Sequence, residues 1–208
     1  ANKFIRNGGE RAIFIGTSAE YEWSSNKKLN ELSTNLNPDS FYGKSKLKSF
    51  YEISKIFENE NVSMAWARLF NPFGPGEDKR RLIPKLCLNL INNKKTEFDN
   101  AKTIRDFTHV QDLAYLIFKL LNSKYSGPIN ISNGEEVVIK DLVINTAKYF
   151  KKENLISFNS KIAEPKYPYV VSDTKLLKKI LKVKSTKDLN HRLIEAYKYW
   201  ENYRLKKN

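Results

Sequence analysis

Two short apolar runs, one on each side of a long amphipathic stretch, constrain the fold most. Residues 11–16 read Arg-Ala-Ile-Phe-Ile-Gly and residues 62–69 read Val-Ser-Met-Ala-Trp-Ala-Arg-Leu. Runs of this length, rich in β-branched and aromatic side chains, read as buried strands. Gly8-Gly9 supplies a turn before the first. Between the runs, residues 42–60 carry apolar side chains at helical spacing. Leu47, Phe50, Ser54 and Phe57 fall on one stripe, Ile53 and Ile56 on another. Parallel strands need a crossover of about this length, usually a helix. The pattern therefore predicts a parallel βαβ unit in an α/β chain.

The remainder alternates short elements. Residues 17–41 are polar, contain Asn37-Pro38 and read as a loop. Asn71-Pro72-Phe73-Gly74-Pro75-Gly76 must turn. Helices are expected at 81–93, 113–122, 140–151, 174–182 and 188–204. Residues 103–110 read as extended and 128–131 as a strand before an Asn133-Gly134 turn. Asp112 is a candidate cap for the helix at 113, and Asp173-Thr174 for the helix at 174. The first residues look like the end of a helix.

Composition narrows the function classes. The chain is 40% hydrophobic and 12% aromatic, enough to build a core and to exclude bulk disorder. No apolar run reaches the ~18 residues of a membrane helix. No basic-then-apolar leader is visible, and a lone Cys87 with only His109 and His191 makes neither a disulfide nor a Cys/His zinc cluster. A cytoplasmic protein with no metal is expected. The net charge of +14 raises nucleic-acid binding. The excess is mostly scattered Lys: residues 140–208 hold seventeen Lys/Arg against seven Asp/Glu. No basic run or nucleic-acid motif accompanies it, so neither a nucleic-acid nor a membrane partner is expected.

Tyr42-Gly43-Lys44-Ser45-Lys46 carries the clearest chemistry. Tyr42 and Lys46 stand four residues apart and share a helix face. A neighbouring ammonium favours the phenolate, which makes tyrosine a usable acid/base for alcohol–ketone interconversion. The spacing alone also occurs by chance on surface helices. Its context is Gly16-Thr17-Ser18-Ala19-Glu20-Tyr21 at the C-terminal end of the first strand, where α/β sheets bind ligands. Hydroxyls there can hold a substrate oxygen, or merely satisfy loop amides.

Six motifs in order now resemble one family: strand-Thr/Ser; Tyr-x-x-x-Lys; Arg68-Leu69-Phe70-Asn71-Pro72-Phe73-Gly74-Pro75-Gly76; Arg81-Leu82-Ile83-Pro84; Arg105-Asp106-Phe107-Thr108-His109-Val110-Gln111-Asp112; and Asn130-Ile131-Ser132-Asn133-Gly134-Glu135. Together they resemble the extended short-chain dehydrogenase/reductases, the NAD-dependent nucleotide-sugar epimerases and dehydratases. The resemblance covers residues 3 to about 203. It implies a partial Rossmann-like, doubly wound parallel sheet with a smaller mixed α/β substrate-binding part. Residues 1–75 would be the C-terminal part of the NAD(P)-binding domain. Residues 76–208 would mainly hold the nucleotide-sugar, with segments near 103–125 returning to the Rossmann domain.

The resemblance also implies roles. Tyr42 would be the acid/base, Lys46 would hold the nicotinamide ribose, and Thr17 would be the catalytic hydroxyl with Ser18 as its fallback. Phe70 and Pro72 would meet the nicotinamide of NAD or NADP. Asn71, Arg81, Leu82 and Arg105 would meet the nucleotide-sugar, Arg105 as a fork for the diphosphate. Arg68 reads equally as a surface or an ion-pairing arginine, Asp106 and Asp112 as braces, His109 as structural, and Glu135-Glu136 as a solvated turn. A homodimer through the helix near 43–60 is also implied.

Two departures matter. The family's 4,6-dehydratases place Asp-Glu directly after the catalytic Thr, whereas Ser18-Ala19 stand here and Glu20 comes one position late. That favours epimerisation or 4-keto reduction over water elimination. The family also opens with a Gly-x-x-Gly-x-x-Gly turn that cradles the cofactor pyrophosphate. The eight glycines make no such turn. The chain then reads as a fragment without the pyrophosphate site; an inactive sugar-nucleotide-binding remnant is the alternative.

Overall fold

A computed structural model describes residues 1–23, 27–99, 101–159, 165–183 and 188–205. Residues 24–26 of the expected loop lie outside these. The described elements are α1 (Asn2–Arg6), β1 (Arg11–Thr17), a single 3-10 turn (Ser18–Glu20), α2 (Phe41–Asn59), β2 (Ser63–Leu69), β3 (Pro72–Phe73), α3 (Leu82–Ile91), β4 (Thr96–Phe98), β5 (Ile104–Arg105), β6 (Thr108–His109), α4 (Val110–Leu121), β7 (Gly127–Ile131), β8 (Val137–Val138), α5 (Ile139–Tyr149), a second 3-10 turn (Glu153–Leu155), β9 (Ile156–Phe158), β10 (Tyr169–Val170), α6 (Lys175–Leu181) and α7 (Leu189–Leu205).

β1, β2 and β7 form a parallel sheet in that spatial order. The β1–β2 register runs from Arg11 opposite Ser63 to Thr17 opposite Leu69, so both strands end together. Helices cover its two faces. Phe50, Ile53 and Phe57 of α2 pack with Phe14, Met64 and Trp66 on one side. Leu113, Leu116 and Leu120 of α4, with Leu177 and Leu181 of α6, pack on Ala65, Ala67, Ile129 and Ile131 on the other. Arg11 ties the strand to the end of α4 by donating to the carbonyls of Leu120, Leu121 and Tyr125 at 2.8–2.9 Å.

A second core joins α3, α5 and α7 through Leu86, Leu90, Leu142, Val143, Leu193 and Trp200. Its strands are short: β10 and β8 flank β5, β3 pairs with β6, and β4 with β9. The expected extended stretch 103–110 is in fact two two-residue strands, and α4 begins at Val110 rather than 113. Its cap is His109, whose Nδ1 accepts the Gln111 N–H at 3.3 Å, not Asp112. Asp112 sits inside the first turn because it has a stronger partner: buried Arg192 of α7, whose Nε donates to it at 2.8 Å. No described helix is long and apolar enough to cross a membrane.

Candidate functional site

Thr17 ends β1, and the chain turns at once through Ser18–Glu20. The turn is a capping box. The Ala19 N–H reaches Thr17 Oγ1 at 3.3 Å, and the Thr17 N–H donates to Glu20 Oε1 at 2.8 Å. Thr17 therefore stands half-buried at the strand end with its hydroxyl on the turn. Ser18 is buried, and its carbonyl accepts the Trp23 indole N–H at 2.7 Å.

Tyr42 and Lys46 lie on the first turns of α2, capped by Ser40, whose Oγ accepts the Gly43 N–H at 3.0 Å. The helix comes very close to the turn. A Cβ on Gly43 would sit 2.2 Å from the Ala19 carbonyl oxygen and 2.8 Å from Pro38 Cβ. Only a residue without a side chain permits that approach. It places the Tyr42 turn beside Thr17-Ser18-Ala19, with Tyr42 itself 56% exposed. Lys46 Nζ donates to the Ile15 carbonyl of β1 at 2.9 Å, which fixes the ammonium against the same strand.

Because β2 ends level with β1, Phe70-Asn71-Pro72 emerges next to Thr17. Phe70 is fully buried with Tyr21. Asn71 takes a left-handed φ of 29° and donates from Nδ2 to the Asp106 carbonyl at 3.0 Å. Pro72 opens β3 opposite Thr108. Arg105 is held on the same side. Its guanidinium donates to the Ile104 and Tyr167 carbonyls at 2.9 and 2.8 Å, and burial lowers its pKa to about 10. Arg81 and Leu82 begin α3 in the other layer. Arg81 pairs with Glu77 at 2.9 Å and Leu82 packs on the second core. Burial raises the Glu77 carboxyl to about 7.

A cavity of about 350 Å³ opens beside the turn, lined by Ala19, Tyr21, Trp23, Asp39, Ser40 and Tyr167 among others. Trp23 and Tyr167 meet edge to face at 5.4 Å, giving it aromatic walls. Lys166 and Asp39, both at its lining, are bridged at 2.6 Å.

The braces are well defined. Asp106 accepts from the Gly134 and Ser172 N–H groups and the Ser172 hydroxyl, and burial raises its carboxyl to about 6. Arg68 is an internal ion-pairing arginine: its Nε reaches Glu20 at 2.7 Å, both side chains fully buried. Glu20 is thereby turned away from solvent. Glu135 and Glu136 are exposed, as expected of a solvated turn, and Glu136 accepts from Tyr169 Oη at 3.0 Å. Sequence reasoning missed the Glu20–Arg68 pair. The available signal was a lone arginine in the otherwise apolar run 64–69, which demands a buried partner.

Comparison with known proteins agrees with this layout. UDP-glucuronic acid decarboxylase 1 of Xenopus tropicalis is 27% identical over 104 residues, 49% of this chain and 25% of its own. A solved UDP-N-acetylglucosamine 4-epimerase from Methanobrevibacter ruminantium M1, in complex with UDP-N-acetylmuramic acid, superposes with a TM-score of 0.87 at 22% identity. The match covers 96% of this chain and 66% of that one. RMD from Pseudomonas aeruginosa, complexed with NADPH, gives 0.88 at 19% identity, covering 97% and 70%. The chain thus spans a quarter of the decarboxylase and about two thirds of the epimerase. Residues 3–133 match the NAD dependent epimerase/dehydratase family, and the chain belongs to that family.

Proposed function

We propose that this chain is the substrate-side part of an NAD(P)-dependent nucleotide-sugar epimerase or 4-keto reductase, with Tyr42 as its acid/base. The observation that carries the proposal is the Gly43–Ala19 approach, which sets the Tyr42–Lys46 turn against Thr17 at the C-terminal end of a parallel sheet. The residues fit one end of the cofactor. Tyr42 and Lys46 offer a hydroxyl and an ammonium on one face for a nicotinamide ribose, and Phe70–Pro72 follows the end of β2, which is level with Thr17. No Gly-rich turn in this sequence suits the pyrophosphate. When bound, NAD(P) accepts or supplies the hydride. The chain's own part is the proton. Tyr42 Oη takes it from the sugar hydroxyl as the carbonyl forms and returns it as the alcohol re-forms. The Thr17 hydroxyl orients the same sugar oxygen, and Arg105 faces the diphosphate with the N–H groups it does not spend on carbonyls.

Water elimination is disfavoured. It needs a second acid and base beside Thr17, and Ser18-Ala19 supply neither, while Glu20 is buried against Arg68. The family resemblance also suggests a homodimer through α2. Phe50, Ile53 and Phe57, drawn from both of its apolar stripes, are taken by the core, which leaves Leu47, Tyr51 and the outer Lys and Glu residues to form such a contact.

A panel of UDP-, dTDP-, GDP- and CDP-sugars, assayed for hydride transfer and for epimerised product in the cofactor-loaded enzyme, tests the reading. Turnover of a nucleotide-sugar without dehydration is expected. Elimination of water, or no turnover of any sugar nucleotide, overturns it.

A further inference from the structure

Beneath Thr17 lies a buried charge pair that the proposed reaction does not use. Glu20 and Arg68 are both fully buried, with Nε to Oε2 at 2.7 Å. The Glu20 carboxylate also accepts the Trp66 indole N–H at 3.0 Å and the Thr17 N–H at 2.8 Å. Gly16 makes room for this arrangement: a Cβ there would lie 2.2 Å from Trp66 Nε1 and 2.7 Å from Glu20 Oε1. The guanidinium, in turn, is held between rings. Its central carbon lies 4.8 Å from the centroid of Tyr21 and 5.2 Å from that of Phe50. Arg68 Nη1 donates to Tyr21 Oη at 3.2 Å, and Tyr21 Oη donates to Asn130 of β7 at 2.7 Å.

We propose that Glu20 and Arg68 are positioning residues that lock the Thr17 turn to the helix carrying Tyr42 and Lys46. The proposal rests on the reading of Thr17 and Tyr42 as the reacting pair. Phe50 is on α2, two turns after Tyr42, so one guanidinium joins that helix to the turn, to β2 and, through Tyr21, to β7. Stability alone is a poor reason to keep such a pair, since apolar replacements of buried ion pairs are commonly neutral or stabilising. The pair is not even fully spent: among the described residues, the buried Arg68 Nη2 finds no hydrogen-bond partner. What it supplies is a directional link, and reacting groups displaced by about 1 Å can lose about 10²-fold in rate.

The test compares three variants of the cofactor-loaded enzyme: Glu20→Gln, the double variant Glu20→Gln/Arg68→Met, and Tyr42→Phe as the control for the reaction itself. The single variant leaves Arg68 charged and uncompensated and is expected to be poorly folded. The double variant removes both charges, keeps an acceptor for the Thr17 N–H, and is expected to melt within a few degrees of the parent. Its kcat is expected to fall about 10- to 100-fold with KM nearly unchanged. Both limbs of its pH–rate profile should persist at reduced height. Loss of a limb would make Glu20 a proton carrier and overturn the positioning role. Parental kcat in the double variant, with Tyr42→Phe inactive, would overturn positioning alone. Parental activity in Tyr42→Phe, or none in the parent, would overturn the functional reading and this role with it.

Discussion

Gly43 is the residue on which the site's geometry depends most directly, because its missing side chain is what lets a helix touch a backbone carbonyl. A Gly43→Ala methyl would fall 2.2 Å from the Ala19 oxygen, a contact only backbone movement can relieve. The variant should lose ~1–3 kcal/mol in denaturant unfolding, as over-packing typically does, and turnover should fall about tenfold or more as Tyr42 is pushed from Thr17. Asp106 offers a second test. Burial raises its carboxyl from 3.8 to about 6, so the folded chain holds that proton more tightly than the unfolded one. Its favourable contribution is therefore present below pH 4 and lost as pH rises through 6. Over that window the parent should lose ~3 kcal/mol relative to Asp106→Asn, read as the difference between urea melts across the range. The helix that carries Tyr42 and Lys46 on one face was legible from spacing, and its meeting with the turn after β1 was implied by the family resemblance. The Glu20–Arg68 pair is not legible in the sequence, because nothing local shows which side chain a strand arginine will find forty-eight residues away across a loop and a helix.

At the scale of elements, the long periodic segments read well. The helix over 41–59 and the strands over 11–17 and 63–69 were legible because their apolar periods are unbroken. Of the two-residue strands, β5 and β6 fall in the stretch 103–110 read as extended, but β3 and β8 were not legible, since two residues carry no period and their pairing depends on tertiary contacts. The start of α4 shows the same limit: Asp112 is a good cap by type, but Arg192, eighty residues on, claims its carboxylate. For α2 the cap is Ser40, and its loss bears on the site because Tyr42 is in the first turn. Ser40→Ala should cost ~0.5–2 kcal/mol in a urea melt. Amide exchange should rise first at Gly43 and its neighbours, whereas a rise spread evenly along α2 would mean the cap does not hold that end.

At the scale of the molecule, the sheet is unequal at its two edges. At the outer edge of β7, the Glu31 carboxylate accepts the Asn130 N–H at 2.8 Å. Among the described residues β1 pairs only with β2, leaving its outer edge open and Ile15 41% exposed. A strand edge of this kind presents unpaired N–H and C=O groups on which another strand can add. With no Gly-rich turn for the pyrophosphate, residues 1–208 should bind a nucleotide-sugar but hold NAD(P) only at about millimolar affinity. Calorimetry giving a micromolar Kd for NAD(P) would contradict this. The acid/base role of Tyr42 is tested most directly by the kcat of Tyr42→Phe in the cofactor-loaded enzyme, with the nucleotide-sugar Kd measured alongside. A fall of about 10²–10⁴-fold in kcat at unchanged Kd is expected; a kcat near the parent's would contradict the assignment.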